Sequence, residues 1–239
     1  MEQNETTEFN QENVDASSKM HKKKFHWGNF FMNNKKGLTI GVSAIVLLLG
    51  CYLGYKYFIV EPGQEEANNK AYKAEDMMDF DDSLMYAMNG DAKMGITGLK
   101  EIADDYGYTK AGKRAALRIG KILLEQGKTD EAIEYLEKFD LGDKVAQTHA
   151  LGNLGQAYSD KKEYEKAASY FQKAADHAKL INISARYQKL AGLAYEELKE
   201  YEKAADCYQK VQKEYFNSDQ ARDIEKYIER AKGLAKTKK

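Results

Sequence analysis

The sequence predicts an all-α protein in which a single N-terminal transmembrane helix precedes a solenoid of about three to four helix pairs and a C-terminal capping helix. One observation behind this prediction is the uncharged apolar run between residues 37 and 55. A second is a helical motif whose glycines recur at Gly120, Gly155 and Gly192. Finally, the 239 residues contain a single proline, Pro62. Because proline interrupts helices, its scarcity favours long uninterrupted ones.

The composition excludes some functions. Hydrophobic residues make up 43% of the chain, so a packed core is possible, and the net charge of -1 gives no reason to expect nucleic acid as a partner. The two cysteines are Cys51, inside the apolar run, and Cys207, in a repeat. We therefore expect no disulfide between them.

The chain divides into five segments by composition. Residues 1–36 are polar and then lysine-rich, which predicts a disordered cytoplasmic tail with a basic juxtamembrane segment. Residues 37–60 form the predicted transmembrane helix, and 61–75 a linker and the start of the first helix. The repeats occupy 76–218, and 219–239 supply a capping helix with a basic tail.

The apolar run has the length and flanks of a membrane span. Nineteen uncharged residues would extend about 28 Å as a helix, close to the thickness of a bilayer core. Aromatic residues such as Trp27 and Tyr57 flank the run on either side, as at membrane interfaces. Lysines cluster before the run and only Lys56 closely follows it. The positive-inside bias therefore predicts a cytoplasmic N-terminus and repeats on the far side of the membrane.

An alternative concerns Cys51. The sequence Leu48-Leu49-Gly50-Cys51 resembles a lipobox, which would make Cys51 a lipidated N-terminus. However, the residues that follow it, YLGYKYF, continue the apolar run instead of starting a polar linker. An uncleaved anchor is therefore the main prediction, and an envelope or outer-membrane assembly lipoprotein the alternative.

The repeats align residue by residue. Residues 151–178 match 188–215, and 116–139 align with both. Each copy predicts a helix pair in which a Leu-Gly-x-x-Tyr stripe of the first helix packs on an Ala-x-x-x-Phe stripe of the second. A single pair cannot bury its apolar face, so the copies are expected to stack. The signature residues are Gly120, Ala132, Leu154, Gly155, Tyr158, Ala167, Phe171, Ala174, Gly192, Tyr195, Ala204 and Tyr208.

This pattern resembles the tetratricopeptide repeat (TPR) family. We place repeats at 113–146, 148–181 and 185–218, with a degenerate copy at 76–109. The resemblance implies a concave groove that binds proteins, lined by one face of the first helices. Eight residues fall at those groove positions: Arg114, Arg118, Lys121, His149, Asn153, Gln156, Arg186 and Lys189. Basic and amide groups suit an acidic or carboxylate-bearing peptide. The alternative is that these polar residues only keep the inner face soluble and bind no partner.

No catalytic arrangement is apparent in the sequence. It shows no activated nucleophile, glycine-rich phosphate loop or metal-ligand spacing, and the four histidines share no pattern. We therefore expect no cofactor, no metal and no enzyme activity.

The layout of the whole chain also resembles the YfgM-like family, particularly its Bacteroidetes relatives. The shared features are a lysine-rich tail, one span, a Pro-Gly break and degenerate-then-regular repeats. This resemblance implies an inner-membrane adaptor that is ancillary to the Sec translocon or to the periplasmic chaperone network. Its partners would be translocon subunits, chaperones or exported clients, with residues 37–60 in the lipid bilayer.

The first prediction concerns orientation. Protease added to spheroplasts should digest the chain beyond residue 65, because the lysine cluster retains the N-terminus in the cytoplasm. Immunoblotting against each end measures this. Full protection of the repeats in intact spheroplasts, with digestion after lysis, would reverse the assigned orientation.

Overall fold

A computed structural model of the chain describes residues 35–79, 84–140 and 142–237. The tail predicted to be disordered and cytoplasmic therefore lies outside the described residues, apart from its last two positions. Contacts divide the chain into two units that meet between Tyr55 and Lys56. They are described separately below.

The first unit contains helix α1, Lys35–Tyr55. Its large apolar side chains face outward, with Leu48 67% exposed. In the described part of the chain, one helix, Lys36–Asp76, is long and apolar enough to cross a membrane. An apolar surface of this extent is unfavourable in water and favourable in lipid, which is consistent with a single-span membrane protein.

The second unit begins with a π-helical turn, Lys56–Val60, followed by helix α2, Glu61–Asp76. Pro62 stands in the first turn of α2, directly after the π-helical turn. Ala67, Ala71 and Ala74 are fully or almost fully buried. Their helical spacing brings all three onto one face of α2, which packs into the core of the first repeats. The segment predicted as a linker and the start of the first helix, 61–75, is therefore helical throughout.

The degenerate first repeat is shortened. It comprises a 3-10 turn (Met77–Asp79), helix α3 (Leu84–Asn89), strands β1 (Gly90–Asp91) and β2 (Ile96–Thr97), and helix α4 (Leu99–Asp105). The two strands pair antiparallel, Gly90 opposite Thr97. The predicted two-helix repeat over 76–109 is thus reduced to short helices around a hairpin, and α2 supplies much of the packing.

The regular repeats form three helix pairs. The first helices of the pairs are α5 (Lys110–Glu125), α7 (Lys144–Asp160) and α9 (Ile181–Glu197). The second helices are α6 (Thr129–Glu137), α8 (Tyr164–His177) and α10 (Tyr201–Glu214). A 3-10 turn, Asp219–Asp223, leads to α11, Ile224–Thr237, which packs on α10 through Ile224 and Ile228. The predicted all-α solenoid is confirmed.

The turns within the pairs share one geometry. Gly127, Lys162 and Lys199 have positive φ angles of 75°, 62° and 59°. In each turn the next residue donates its N–H to a carbonyl five residues earlier, as from Glu163 to Tyr158 at 2.8 Å. This is the Schellman ending of a helix, and it reverses the chain at the same point in every pair.

Glycines set the distance between the helices of each pair. A Cβ on Gly155 would lie 2.5 Å from Cδ1 of Phe171, and one on Gly120 would lie 2.6 Å from Cγ of Leu136. Gly192 bears the same relation to Tyr208. A side chain is thus excluded at each crossing, because the large residue of the second helix fills that space.

The second prediction tests this packing. Gly155→Ala should lower the free energy of unfolding by about 1–3 kcal/mol and Gly155→Leu by more, since both overpack a rigid aromatic contact. Thermal unfolding of the full chain in detergent, followed by circular dichroism, measures the change.

Gly233→Ala is the matched control. Nothing lies within 4 Å of a Cβ at Gly233, which is in helix α11. This substitution should stabilise the protein by up to about 1 kcal/mol through helix propensity alone. Equal effects of the two alanine substitutions would mean that the helices are not in contact at Gly155.

Candidate functional site

A groove of about 710 Å³ lies across the first helices of the three pairs. Its walls come from α5, α7 and α9 and from the residue that precedes α7. Of the eight predicted groove residues, the structure brings five together here: Arg118, Lys121, His149, Asn153 and Arg186. Because equivalent faces of successive first helices line it, the stacking of the repeats creates this groove.

The other three predicted residues do not line it. Arg114 is exposed on α5 and donates to Oδ1 of Asn68 on α2 at 3.0 Å. Gln156 donates to Asp160 on its own helix at 2.7 Å. The side chain of Lys189 is only 19% exposed; its Nζ lies 3.3 Å from Asp223 and 4.2 Å from the ring centre of Tyr227. All three side chains therefore make contacts within the protein outside the groove.

Intramolecular ion pairs reduce the positive charge of the groove. Arg118 pairs with Glu75 of α2 at 3.3 Å and also contacts the sulfur of Met78. Lys121 pairs with Glu125, one turn further along α5, at 3.6 Å. The groove is therefore less basic than its residue types predict, and Lys121 and Arg186 are its most exposed positive charges.

Sequence reasoning missed several lining residues. Asp143, Val145 and Ala146 lie at the start of α7, and Leu117 and Tyr187 add apolar surface. The repeat boundary at 148 excluded the first turn of α7. Asp143 was the available signal, because an aspartate before an apolar-periodic segment marks a helix N-cap. Its carboxylate accepts the N–H groups of Val145 and Ala146 at 2.8 and 3.0 Å.

The charge of Asp143 is stabilised by this cap. The hydrogen bonds from the amides of Ala146 and Val145 hold the pKa of its carboxyl below the usual value. Since a lowered pKa favours the ionised form, Asp143 stays anionic at neutral pH and contributes one negative charge to the groove.

The signature residues lie in the cores of the pairs and not in the groove. Of the twelve, only Tyr195 is partly exposed; the others are buried. Tyr158 stacks on Tyr170 at 5.3 Å, and its hydroxyl donates to Glu137 of the preceding repeat at 3.2 Å. These residues therefore hold the pairs together, and Tyr158 also joins neighbouring repeats.

The described part of the chain shows no cluster of metal-ligating side chains and one buried cysteine. Among the described residues, no three His, Cys, Asp or Glu side chains are grouped as metal ligands would be. Burial raises the pKa of the Cys207 thiol to about 11, which favours the unreactive protonated form.

Comparison with known families identifies the repeats. Two tetratricopeptide-repeat profiles match the chain, one over residues 117–179 and the other over 189–218. The chain therefore contains tetratricopeptide repeats, a class of helix pair that serves in binding other proteins. No curated protein matches the chain.

The third prediction separates two lysines that were both expected in the groove. Lys189→Ala should lower the free energy of unfolding by about 1 kcal/mol, because it removes a mostly buried contact to Tyr227 and Asp223. Lys121→Ala should have an effect near zero, because the side chain of Lys121 is 67% exposed and its ion pair is at the surface.

Thermal unfolding of both variants of the full chain measures the difference. If Lys121→Ala proved the more destabilising of the two, the assignment of Lys189 to the packing of α11 would be wrong.

Proposed function

We propose that this protein is a membrane-anchored adaptor that binds other proteins in the groove between α5, α7 and α9. The observation that carries the proposal is the groove itself. It spans three repeats, has a volume of about 710 Å³ and exposes Lys121 and Arg186. A groove of this kind suits an extended peptide segment.

The residues that line the groove indicate which kind of peptide segment would bind there. Lys121 and Arg186 are positioned for carboxylates, and Asn153 can hydrogen-bond a peptide backbone. Leu117, Val145 and Tyr187 offer apolar contacts between them. The expected ligand is therefore an acidic segment with interspersed apolar side chains, and not a strongly anionic one, because Asp143 would repel it.

The anchor is proposed to be the uncleaved helix α1, with the N-terminus in the cytoplasm and the repeats in the periplasm. Helix α1 continues through Cys51 to Tyr55, which supports a span over a cleaved lipoprotein. Mass spectrometry of the membrane-extracted protein distinguishes the two: an intact N-terminus supports the anchor, and a lipid-modified Cys51 supports the assembly lipoprotein.

The biological setting is proposed from the resemblance to the YfgM-like family. A periplasmic groove on a chain anchored in the inner membrane suits an ancillary role at the Sec translocon or in the periplasmic chaperone network. Translocon subunits, chaperones and exported clients are the candidate partners. We propose no catalytic activity, since tetratricopeptide repeats are typically scaffolds.

The partner itself can be identified by photo-crosslinking in intact membranes. A photoreactive residue at Asn153, inside the groove, should capture the partner, and one at exposed Lys213 on α10 should not. Capture of translocon subunits or periplasmic chaperones would support the proposed setting. Capture confined to outer-membrane assembly proteins would support the alternative.

The fourth prediction tests the groove chemistry. Lys121→Glu combined with Arg186→Glu should weaken capture of that partner about tenfold or more, because repulsion replaces attraction at two contacts. Raising the salt concentration should weaken the complex of the unmodified protein through screening. Quantitative pull-down with the crosslinked partner measures both effects.

Lys213→Glu combined with Lys232→Glu is the control. It makes the same change in net charge on α10 and α11, outside the groove. If both double variants captured the partner equally well, the groove would not be the binding site.

A further inference from the structure

The loops that join one repeat to the next carry exposed apolar side chains along one edge of the second unit. Tyr108, Val145, Leu180 and Phe216 are 42%, 60%, 62% and 66% exposed, and Ile181 is 40% exposed. They lie in the α4–α5, α6–α7, α8–α9 and α10–α11 connections or, for Val145 and Ile181, in the first helical turn that follows. We call this the inter-repeat edge. Such a recurrent placement of exposed apolar residues marks an interaction surface.

The turns at the opposite edge, within the helix pairs, differ in character. Residues 126–128, 161–163 and 198–200 include no exposed large hydrophobic side chain. Two of these turns read Gln-Gly-Lys and Lys-Lys-Glu. Both kinds of connection are surface loops, yet only those between repeats expose large apolar side chains. We infer that the two edges of the unit face different environments.

Hydrogen bonds join the loops into one continuous edge. Gln64 Oε1 accepts the N–H of Lys110 at 2.7 Å, and Lys113 donates to the carbonyl of Asp140. Next, the ring of His177 lies 3.3 Å from the carbonyl oxygen of Lys144. Finally, Asp219 N donates to Asn182 Oδ1 at 3.2 Å. Neighbouring connections therefore lie side by side from α2 to α11.

The beginning of α2 belongs to the same edge. Successive contacts from Gln64 to Lys110 and from Asn68 to Arg114 show that α2 runs parallel to α5. Both helices begin together, and Gly63 lies directly against the Tyr108 hydroxyl. The apolar turn Lys56–Val60 immediately precedes α2 within the same unit, with Phe58 84% exposed.

We propose that the inter-repeat edge lies on the surface of the lipid bilayer. This rests on the membrane anchor proposed above. Of the exposed apolar residues of the edge, Val145 also lines the groove, and the test therefore leaves Val145 unchanged. Lys56–Val60 closes the segment predicted to lie in lipid, and Gln64 is four residues beyond it. Four helical residues advance only about 6 Å, so the edge starts at the membrane interface however the span is tilted.

Lipid is the proposed partner of this edge, because the short connection to the proposed span holds the edge at the bilayer surface. A short covalent connection gives the edge a high effective concentration at the bilayer, so each loop needs only a weak affinity. Leu180, Ile181 and Phe216 would enter the headgroup boundary, where aromatic and aliphatic side chains are favoured. Lysines between them, such as Lys144 and Lys179, can extend their amines to the headgroups.

Charge does not drive this contact. Lys110, Lys113, Lys144 and Lys179 are offset on the same edge by Glu61, Asp140, Asp143 and Asp219. The contact should therefore depend on apolar burial and change little with salt or with the fraction of anionic lipid.

The fifth prediction uses tryptophan fluorescence of the full chain in vesicles of phosphatidylethanolamine and phosphatidylglycerol. In a Trp27→Phe background, Phe216→Trp provides a single reporter on the inter-repeat edge. Met94→Trp is the matched control: Met94 is 50% exposed, and its hairpin follows Met88, which contacts Gln126 in a turn at the opposite edge. Lipids brominated on their acyl chains quench tryptophan only on contact.

The Phe216→Trp variant should lose more than half of its emission to brominated lipid, and the Met94→Trp variant should lose little. Adding Leu180→Glu and Ile181→Glu to the Phe216→Trp chain should restore the emission while its circular dichroism stays unchanged. These residues are at the surface, so their replacement leaves the core intact.

Equal quenching of the two reporters would overturn the proposal. A second outcome would also overturn it. In vesicles, aqueous iodide and not brominated lipid would quench the Phe216→Trp reporter, whereas in native membranes the reporter would be shielded from iodide. A protein, and not lipid, would then cover the edge. Flotation of the chain with vesicles reports the anchor separately, and pull-down reports the groove. Failure of the edge contact is thus distinguishable from failure of the proposed function.

Discussion

The close contact between a glycine of the first helix and a large side chain of the second is the constraint on which the solenoid depends. Gly155 against Phe171 shows it most clearly, and Gly120 with Leu136 and Gly192 with Tyr208 repeat it. Each contact fixes both the distance and the register within a pair. Because the three pairs share it, their first helices present equivalent faces side by side. The groove is therefore a consequence of packing in the core.

Aromatic residues link the alignment of the helices within one pair to the alignment of the neighbouring pair. Tyr158 lies in the core of the second regular repeat and also reaches Glu137 of the first, and Tyr187 packs near Phe171 at 6.3 Å between ring centres. A change at one crossing would thus shift the neighbouring repeat as well. This coupling is the reason that repeat arrays gain stability from their interfaces and need a closing helix at the end. In this protein α11 fills that role by covering the apolar face of α10.

Helix α2 covers the end of the array that is opposite α11. It lies along α5, buries three alanines and engages Arg114 and Arg118 through Asn68 and Glu75. Arg118, which lines the groove, is thereby paired with Glu75, and Arg114 is hydrogen-bonded to Asn68 outside the groove. The same helix begins where the membrane-spanning segment is predicted to end. One element thus covers the first repeats and lowers the charge of the groove through Glu75.

The sequence by itself determined the helical class, the apolar span and the three regular repeats, because these depend on local periodicity and on side-chain size at fixed spacing. It also identified most of the basic groove side chains, since the repeat phase assigns each residue to a face. It did not reveal that the whole of 61–75 is a packed helix, since a stripe of small alanines carries a weak hydrophobic signal. Nor could it show that Arg114, Arg118 and Lys189 are engaged within the protein. Their partners, Asn68, Glu75 and Asp223, are distant in the chain, and only the tertiary structure decides which charges meet.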